Sequence, residues 1–290
     1  MDIFLDPKVD FIFKKLMEDE ELLVDFINRV LSKSGQKIVS AKIINPVNTK
    51  ESAEDKDSIL DVKAQADDGS YINIEIQRKD EKNMVKRSLF HWSKMYVSQL
   101  KKGRSYNLLE KTICINVLDF NLLQDEHYHN YYILMNPESQ NSLNAPMEIH
   151  FLELKKYEKF RNLGEDDGLK DWIEFLNAPE RVQFKSNPKI KKAVNKLAYL
   201  SSDGELREIY QLRLDAQLNG EIIRNTARED GIKEGLKQGI EKAIELKLQD
   251  IQNAIGKKND EMILSIFKIS PEVLEKVKHG QKVNPSEINI

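Results

Sequence analysis

The chain has 290 residues, enough for one large domain or for a smaller domain with appendages. With 40% hydrophobic and 32% charged residues it reads as globular with a wet, charged surface. No run approaches the roughly 20 apolar residues of a membrane-spanning helix, and Met1-Asp2-Ile3-Phe4 is not built like a signal peptide. The net charge of −3 selects no partner. Cys114 is the only cysteine and lies in the apolar run 112–118, so an internal disulfide is excluded, burial in a strand is expected, and the cytoplasm is the expected location.

Asp6-Pro7 reads as the cap and first-turn proline of a helix on which Val9, Ile12, Phe13 and Leu16 recur at helical spacing, with Asp10 and Lys14 on another face. A second helix is expected over about Glu20 to Leu31. Ala41 to Pro46 reads as a short strand and 48–56 as a polar loop. Two stronger strands follow, about 58–66 and 71–79, separated by the turn signal Asp67-Asp68-Gly69-Ser70. Met84 to Leu100 is a long helix with Leu89, Trp92 and Tyr96 on one side. Runs near 112–118, 131–135 and 148–154, rich in β-branched and aromatic residues, complete a mixed sheet. The pattern is an α/β core over 1–155, a helical extension over 156–220 packing on that core, and a helical tail over 221–290.

The tail holds the one internal repeat, Gly231-Ile-Lys-Glu, Gly235-Leu-Lys-Gln, Gly239-Ile-Glu-Lys, Ala243-Ile-Glu-Leu. Four residues turn a helix by about 400°, so this stripe drifts only about 40° per repeat and stays one slowly winding face. Each interior glycine costs roughly 1 kcal/mol against alanine. Either something approaches this backbone closely, a second copy of the chain being the natural candidate, or an exposed charged helix tolerates the glycines. A last helical pair, near 261–269 and 271–277, is punctuated by Ser270-Pro271.

The chemistry concentrates in Ile59-Leu-Asp61-Val-Lys63 and Asn73-Ile-Glu75-Ile-Gln77. Alternate strand residues share a face, so Ile72, Ile74 and Ile76 point to the core while Asn73, Glu75, Gln77 and Lys79 point the other way. Leu60, Val62 and Ala64 likewise leave Asp61, Lys63 and Gln65 opposite. A two-residue Asp68-Gly69 turn would put Asp61 on the isoleucine face, against both patterns. A three-residue loop, 67–69 or 68–70, pairs Asp61 with Glu75 or with Gln77. Two converging carboxylates repel unless a cation or proton intervenes, and a hard divalent ion fits; a hairpin with a solvated polar face is the plainer alternative.

Between Arg78 and Lys111 ten Lys or Arg face three acids, a net of +7. The block, Arg78, Lys79, Lys82, Lys86 and Arg87 foremost, could hold phosphates, or it is a solvated helix face. His127-Tyr-His129 has spacing that could serve a metal, but it falls in a loop without nearby cysteines and reads as a surface pair.

Helix, Asp-bearing strand, hairpin, Glu-x-Gln strand and long helix together resemble the PD-(D/E)XK nuclease core. More narrowly, Asp10-Phe-Ile-Phe13-Lys14, Leu60-Asp61-Val, Gly69 through Ile74-Glu75-Ile-Gln77, and Arg87-Ser-Leu-Phe-His-Trp92-Ser-Lys94-Met-Tyr96 through Gln99, Gly103 and Tyr106 resemble the Rpn family of recombination-promoting nucleases and transposases. The resemblance implies a restriction-endonuclease-like fold and Mg²⁺- or Mn²⁺-dependent hydrolysis of DNA, linked to recombination or transposition. Asp61 and Glu75 match its metal-binding carboxylates, Asp10 either stands where related nucleases often add an acidic ligand or is a surface acid paired with Lys14 one turn away, and Gln77 stands where the superfamily usually carries lysine. Lys63, or else Lys79 or Lys56, is expected to supply the missing charge, with Lys14 and the basic block on the DNA. The rival expectation is a degenerate nuclease fold that binds DNA or a protein partner.

Overall fold

The computed structural model describes residues 4–44, 62–143, 146–159, 168–182 and 187–288. It divides into two compact units, Met1–Tyr210 and Gln211–Ile290.

In the first unit, α1 (Asp10–Met17) begins later than Asp6-Pro7 suggests. The Asp6 carboxylate accepts the Lys8 N–H at 2.9 Å and its carbonyl accepts the Val9 N–H at 3.1 Å, which spends Asp6 on a turn ahead of the helix. α1 buries Phe11, Ile12, Phe13, Leu16 and Met17. α2 (Glu20–Leu31) has the predicted bounds; Asp19 caps it by accepting the N–H groups of Glu21 and Leu22, and Leu22, Leu23, Phe26, Ile27, Val30 and Leu31 form its buried stripe.

The strands are β1 (Ala41–Ile43), β2 (Val62–Ala66), β3 (Tyr71–Gln77), β4 (Thr112–Leu118), β5 (His129–Ile133) and β6 (Met147–Glu153). They form one mixed sheet in the order β1-β2-β3-β4-β6-β5, with β3, β4 and β6 mutually parallel and the outer pairs antiparallel. Cys114 is buried in β4.

The hairpin between β2 and β3 takes the first of the two loops left open above. Ser70 O accepts the Ala66 N–H at 2.9 Å, and Ala66 O accepts that of Gly69 at 3.0 Å, enclosing 67–69. Gly69 sits at φ +88°, a conformation that suits a residue without Cβ. Val62 is thereby opposite Ile74 and Lys63 opposite Asn73.

The alternation on β3 holds, but its polar row does not face water. Asn73 is 2% and Glu75 1% exposed, because α3 (Met84–Ser98) lies across β3 and β4 on that side, packing Met84 and Met95 onto Cys114, Leu118, Ile149 and Phe151. The isoleucine face is left to α1, which contacts β3. The face that α3 buries also differs from expectation. Met84, Ser88, His91 and Met95 are inward, whereas Leu89 is 44% exposed. Trp92 is half-buried, stacks on Tyr96 and donates its indole N–H to Thr112 O at 3.0 Å.

The helices that follow residue 155 complete this unit. α4 (Leu169–Asn177) and α5 (Pro188–Ser202) pack on α2. Trp172 meets Phe26 edge-on at 5.3 Å, and Phe26 meets Phe13 the same way at 5.9 Å. Asp25 on α2 accepts the Trp172 indole N–H at 2.8 Å and the Asn187 amide at 3.3 Å.

α6 (Gly204–Ala254) runs from the first unit into the second, where α7 (Asp260–Phe267) and α8 (Pro271–Lys278) gather with its end around Ile244, Ile251, Ile263, Val273, Leu274 and Val277. Ser270 caps α8 as expected, accepting the Val273 N–H. A Cβ added at Gly231, Gly235 or Gly239 would meet nothing within 4 Å, and Ile232, Leu236 and Ile240 are exposed. Among the described residues, nothing approaches the glycine stripe. No described helix is long and apolar enough to cross a membrane.

Replacing Asp25 with alanine strands two part-buried donors. Loss of about 2 kcal/mol of unfolding free energy in urea titrations is expected, with Asp25→Asn, which keeps an acceptor, losing less.

Candidate active site

A cluster of polar side chains lies between α3 and β3. The Glu75 side chain is fully covered. Its Oε1 accepts the Gln77 amide at 2.7 Å and the Arg87 Nε–H at 2.5 Å, while His91 Nε2 stands 3.9 Å from Oε2. Helix geometry explains the grouping: 87 and 91 are one turn apart, 91 on the buried 84–88–91–95 face and 87 at its edge, so both side chains come down on the same strand residue. Ser88 Oγ lies 2.9 Å from Asn116 Oδ1, whose amide donates to His150 O at 2.9 Å. These bonds hold α3 in register over β4.

The two oxygens of Glu75 are unequal. Oε1 carries both hydrogen bonds, whereas Oε2 is buried with no hydrogen-bond partner among the described residues, as is Asn73 Oδ1. A buried carboxylate oxygen without a donor is costly, and a cation relieves it. One oxygen anchored and the other open suits a hard divalent ion as one of several ligands. The described residues contain no group of three or more His, Cys, Asp or Glu able to hold a metal.

Of the other sequence candidates, Asp61 and Lys56 lie outside the described residues. Lys63 is half-buried on β2, opposite Asn73. Asp10 occupies the first turn of α1, its Oδ1 taking the Phe11 N–H at 2.6 Å, and Lys14 stands in the last turn of that helix. The basic block does not act as one surface. Arg78 is 3.6 Å from Asp6, and Lys82, at φ +61°, bonds Asp80 at 2.5 Å. Lys79 and Lys86 are exposed, while Arg87 turns inward. His91 was the residue that sequence reading passed over; its signal was the four-residue step from Arg87.

A family model described as PD-(D/E)XK nuclease family transposase matches residues 7–226. The chain belongs to that family. The match runs through α1, the hairpin, Glu75, Gln77 and α3, and through α4, α5 and the first part of α6. No curated protein and no solved structure matches the chain. The mixed sheet flanked by helices is the fold that membership calls for.

A second buried polar chain corrects the reading of His127 and His129 as a surface pair. His127 is exposed, with Nδ1 2.8 Å from Asp125. His129 is 2% exposed at the start of β5, its Nε2 2.9 Å from His150 Nδ1, and His150 Nε2 lies 2.7 Å from Glu148 Oε1. Lys111 pairs with Glu148, and Lys33 donates to His129 O at 3.2 Å. Burial, reinforced by the neighbouring His150 and Lys33, pushes the His129 pKa down to about 2. Burial also lowers His150. For Glu148 burial acts upward, but hydrogen bonds from His150 and Lys111 outweigh it and bring the carboxyl to about 2.

The sign follows for all three groups. Below pH about 6.5 the unfolded histidines take up protons that the folded ones refuse, each removing up to about 1.4 kcal/mol per pH unit. Glu148, depressed from 4.5 to about 2, adds its loss between those values. Unfolding free energy should therefore be highest above pH about 6.5 and fall as acid is added, and His129→Gln should flatten the slope between pH 6.5 and 5. An unchanged slope in that variant would refute the assignment.

Proposed function

We propose that the chain is a metal-dependent DNA endonuclease, with Glu75, Gln77 and Asp61 at the centre of its cleavage site. The observation that carries this reading is the buried Glu75 carboxylate, pinned through Oε1 by Gln77 and Arg87 while Oε2 is left for a cation. Register supports Asp61 as the second carboxylate: an antiparallel ladder carried one residue beyond the Val62–Ile74 pair would oppose position 61 to Glu75. Asp10 lies on α1, the helix against the isoleucine face of β3, so its proposed place as a further acidic ligand rests on the family resemblance alone.

A Mg²⁺ or Mn²⁺ ion bound there would polarise a phosphoryl oxygen and acidify a water. The chain's own groups do the positioning. Gln77 hands one amide proton to Glu75, which fixes the orientation of its other donor and of its carbonyl for an incoming water or phosphate oxygen. In hydrolysis the water oxygen joins phosphorus and releases a proton to solvent; the bond to the leaving sugar oxygen breaks, and that oxygen takes a proton from solvent. Lys14, Lys63, Lys79 and Lys86 are proposed to hold flanking phosphates and Lys82 to join them by releasing Asp80. Contacts of this kind position the duplex without reading its sequence. A role in recombination or transposition is part of the proposal, and the family's description as a nuclease family transposase supports the latter.

A degenerate, partner-binding fold is the weaker reading, since such a module has no use for an anion kept buried with one oxygen open. Nor does any described residue pack on the glycine stripe that would carry a homodimer, which keeps self-association a proposal resting on the repeat alone.

The deciding experiment is nicking of supercoiled plasmid with Mg²⁺, Mn²⁺ or EDTA. Wild type should cut only with metal, and Asp61→Ala and Glu75→Ala should lose at least about a hundredfold in rate while staying folded. Cleavage retained by either variant would remove that residue from the site; cleavage in EDTA would remove the metal.

A further inference from the structure

In-line displacement at a phosphodiester builds negative charge on the non-bridging oxygens, and fixed positive donors aimed at that charge lower the barrier. Gln77 is neutral. Of the three side chains described around Glu75, only Arg87 brings a permanent positive charge. Lys86 is exposed and Lys82 is occupied by Asp80, so neither has a fixed place beside the carboxylate.

Arg87 spans the boundary between core and solvent. Its side chain is 27% exposed, whereas that of the Glu75 it contacts is 0% exposed. A guanidinium is a planar fork with five N–H groups, so one side can serve the carboxylate while another meets a phosphate. Lysine offers no such division. The helix beneath it is fixed by Met84, Ser88 and Met95, so the fork approaches Glu75 from a rigid element rather than from a loop. By sharing Oε1 with Gln77, it also leaves Oε2 as the oxygen open to a cation.

We infer that Arg87 is a working residue of the cleavage site, with Nε holding Glu75 in orientation and the outer nitrogens meeting the non-bridging oxygens of the phosphate that is cut. This rests on the hydrolytic reading given above.

The test compares wild type, Arg87→Met and Arg87→Lys in plasmid nicking with Mn²⁺, in Mn²⁺ titration calorimetry without DNA, and in thermal melting. Arg87→Met should cut at least about a hundredfold more slowly, and should bind Mn²⁺ at least as tightly as wild type because a competing cation has left Glu75. Arg87→Lys keeps the charge but not the fork and should lose about tenfold in cleavage with Mn²⁺ affinity preserved. If Arg87→Met fails to fold, the lysine variant carries the test alone. The inference is overturned if a folded variant cuts within about threefold of wild type, or if Mn²⁺ affinity collapses along with cleavage, which would mark Arg87 as structural support only. A wild type that never cuts overturns the endonuclease reading and this one with it; a wild type that cuts beside an equally active Arg87→Met overturns this one alone.

Discussion

A strand covered on both faces has no water to receive its polar side chains, and β3 is such a strand. Whatever Asn73 and Glu75 need must come from α3, from the neighbouring strands or from a bound ion. Much of the first unit follows from that constraint. α3 turns a partly polar face, Ser88 and His91 among its methionines, toward the sheet because the sheet presents polarity back to it. Arg87 bends inward for the same reason, although it lies in a sequence block that looks made for solvent. The site is therefore the place where the core would otherwise fail to balance its charges, and the Oε2 of Glu75 is the part to which no described residue donates a hydrogen bond.

The α/β layout, both N-terminal helices, the hairpin and the strand with the cysteine were legible because each has a short-range signature. Alternation places Glu75 and Gln77 on one face, and the conflict between alternation and a two-residue turn already demands the odd loop that Gly69 closes. The start of α1 was misread because Asp6 can cap a turn as readily as a helix. What could not be read locally was the rotation of α3 about its own axis. Leu89, Trp92 and Tyr96 make the obvious apolar stripe, but docking selects 84, 88, 91 and 95, a choice fixed by partners on β4 and β6 that no local pattern names.

His129 illustrates the same limit. Two histidines around a tyrosine look like loop chemistry until β5 is seen to begin at His129 and to pair it with Leu152, beside the His150 to which it bonds. Burial then reverses its character from a surface base to a neutral link between strands. Helices α4 and α5 are instructive in another way. Sequence reading expects an extension packed on the core; what no local pattern names is the aromatic cluster of Trp172, Phe26 and Phe13 that they share with α1 and α2.

Gly231, Gly235 and Gly239 of α6 stand in open space, each with room for a methyl group that the chain does not use. Backbone without side chains is easily solvated and gains most entropy on unwinding. The stretch 231–239 is thus a soft segment in a helix of 51 residues, followed by a part whose Ile244 and Ile251 are clamped in a core of their own. Local opening will begin there, exposing amides and peptide bonds to exchange and proteolysis while α7 and α8 remain folded.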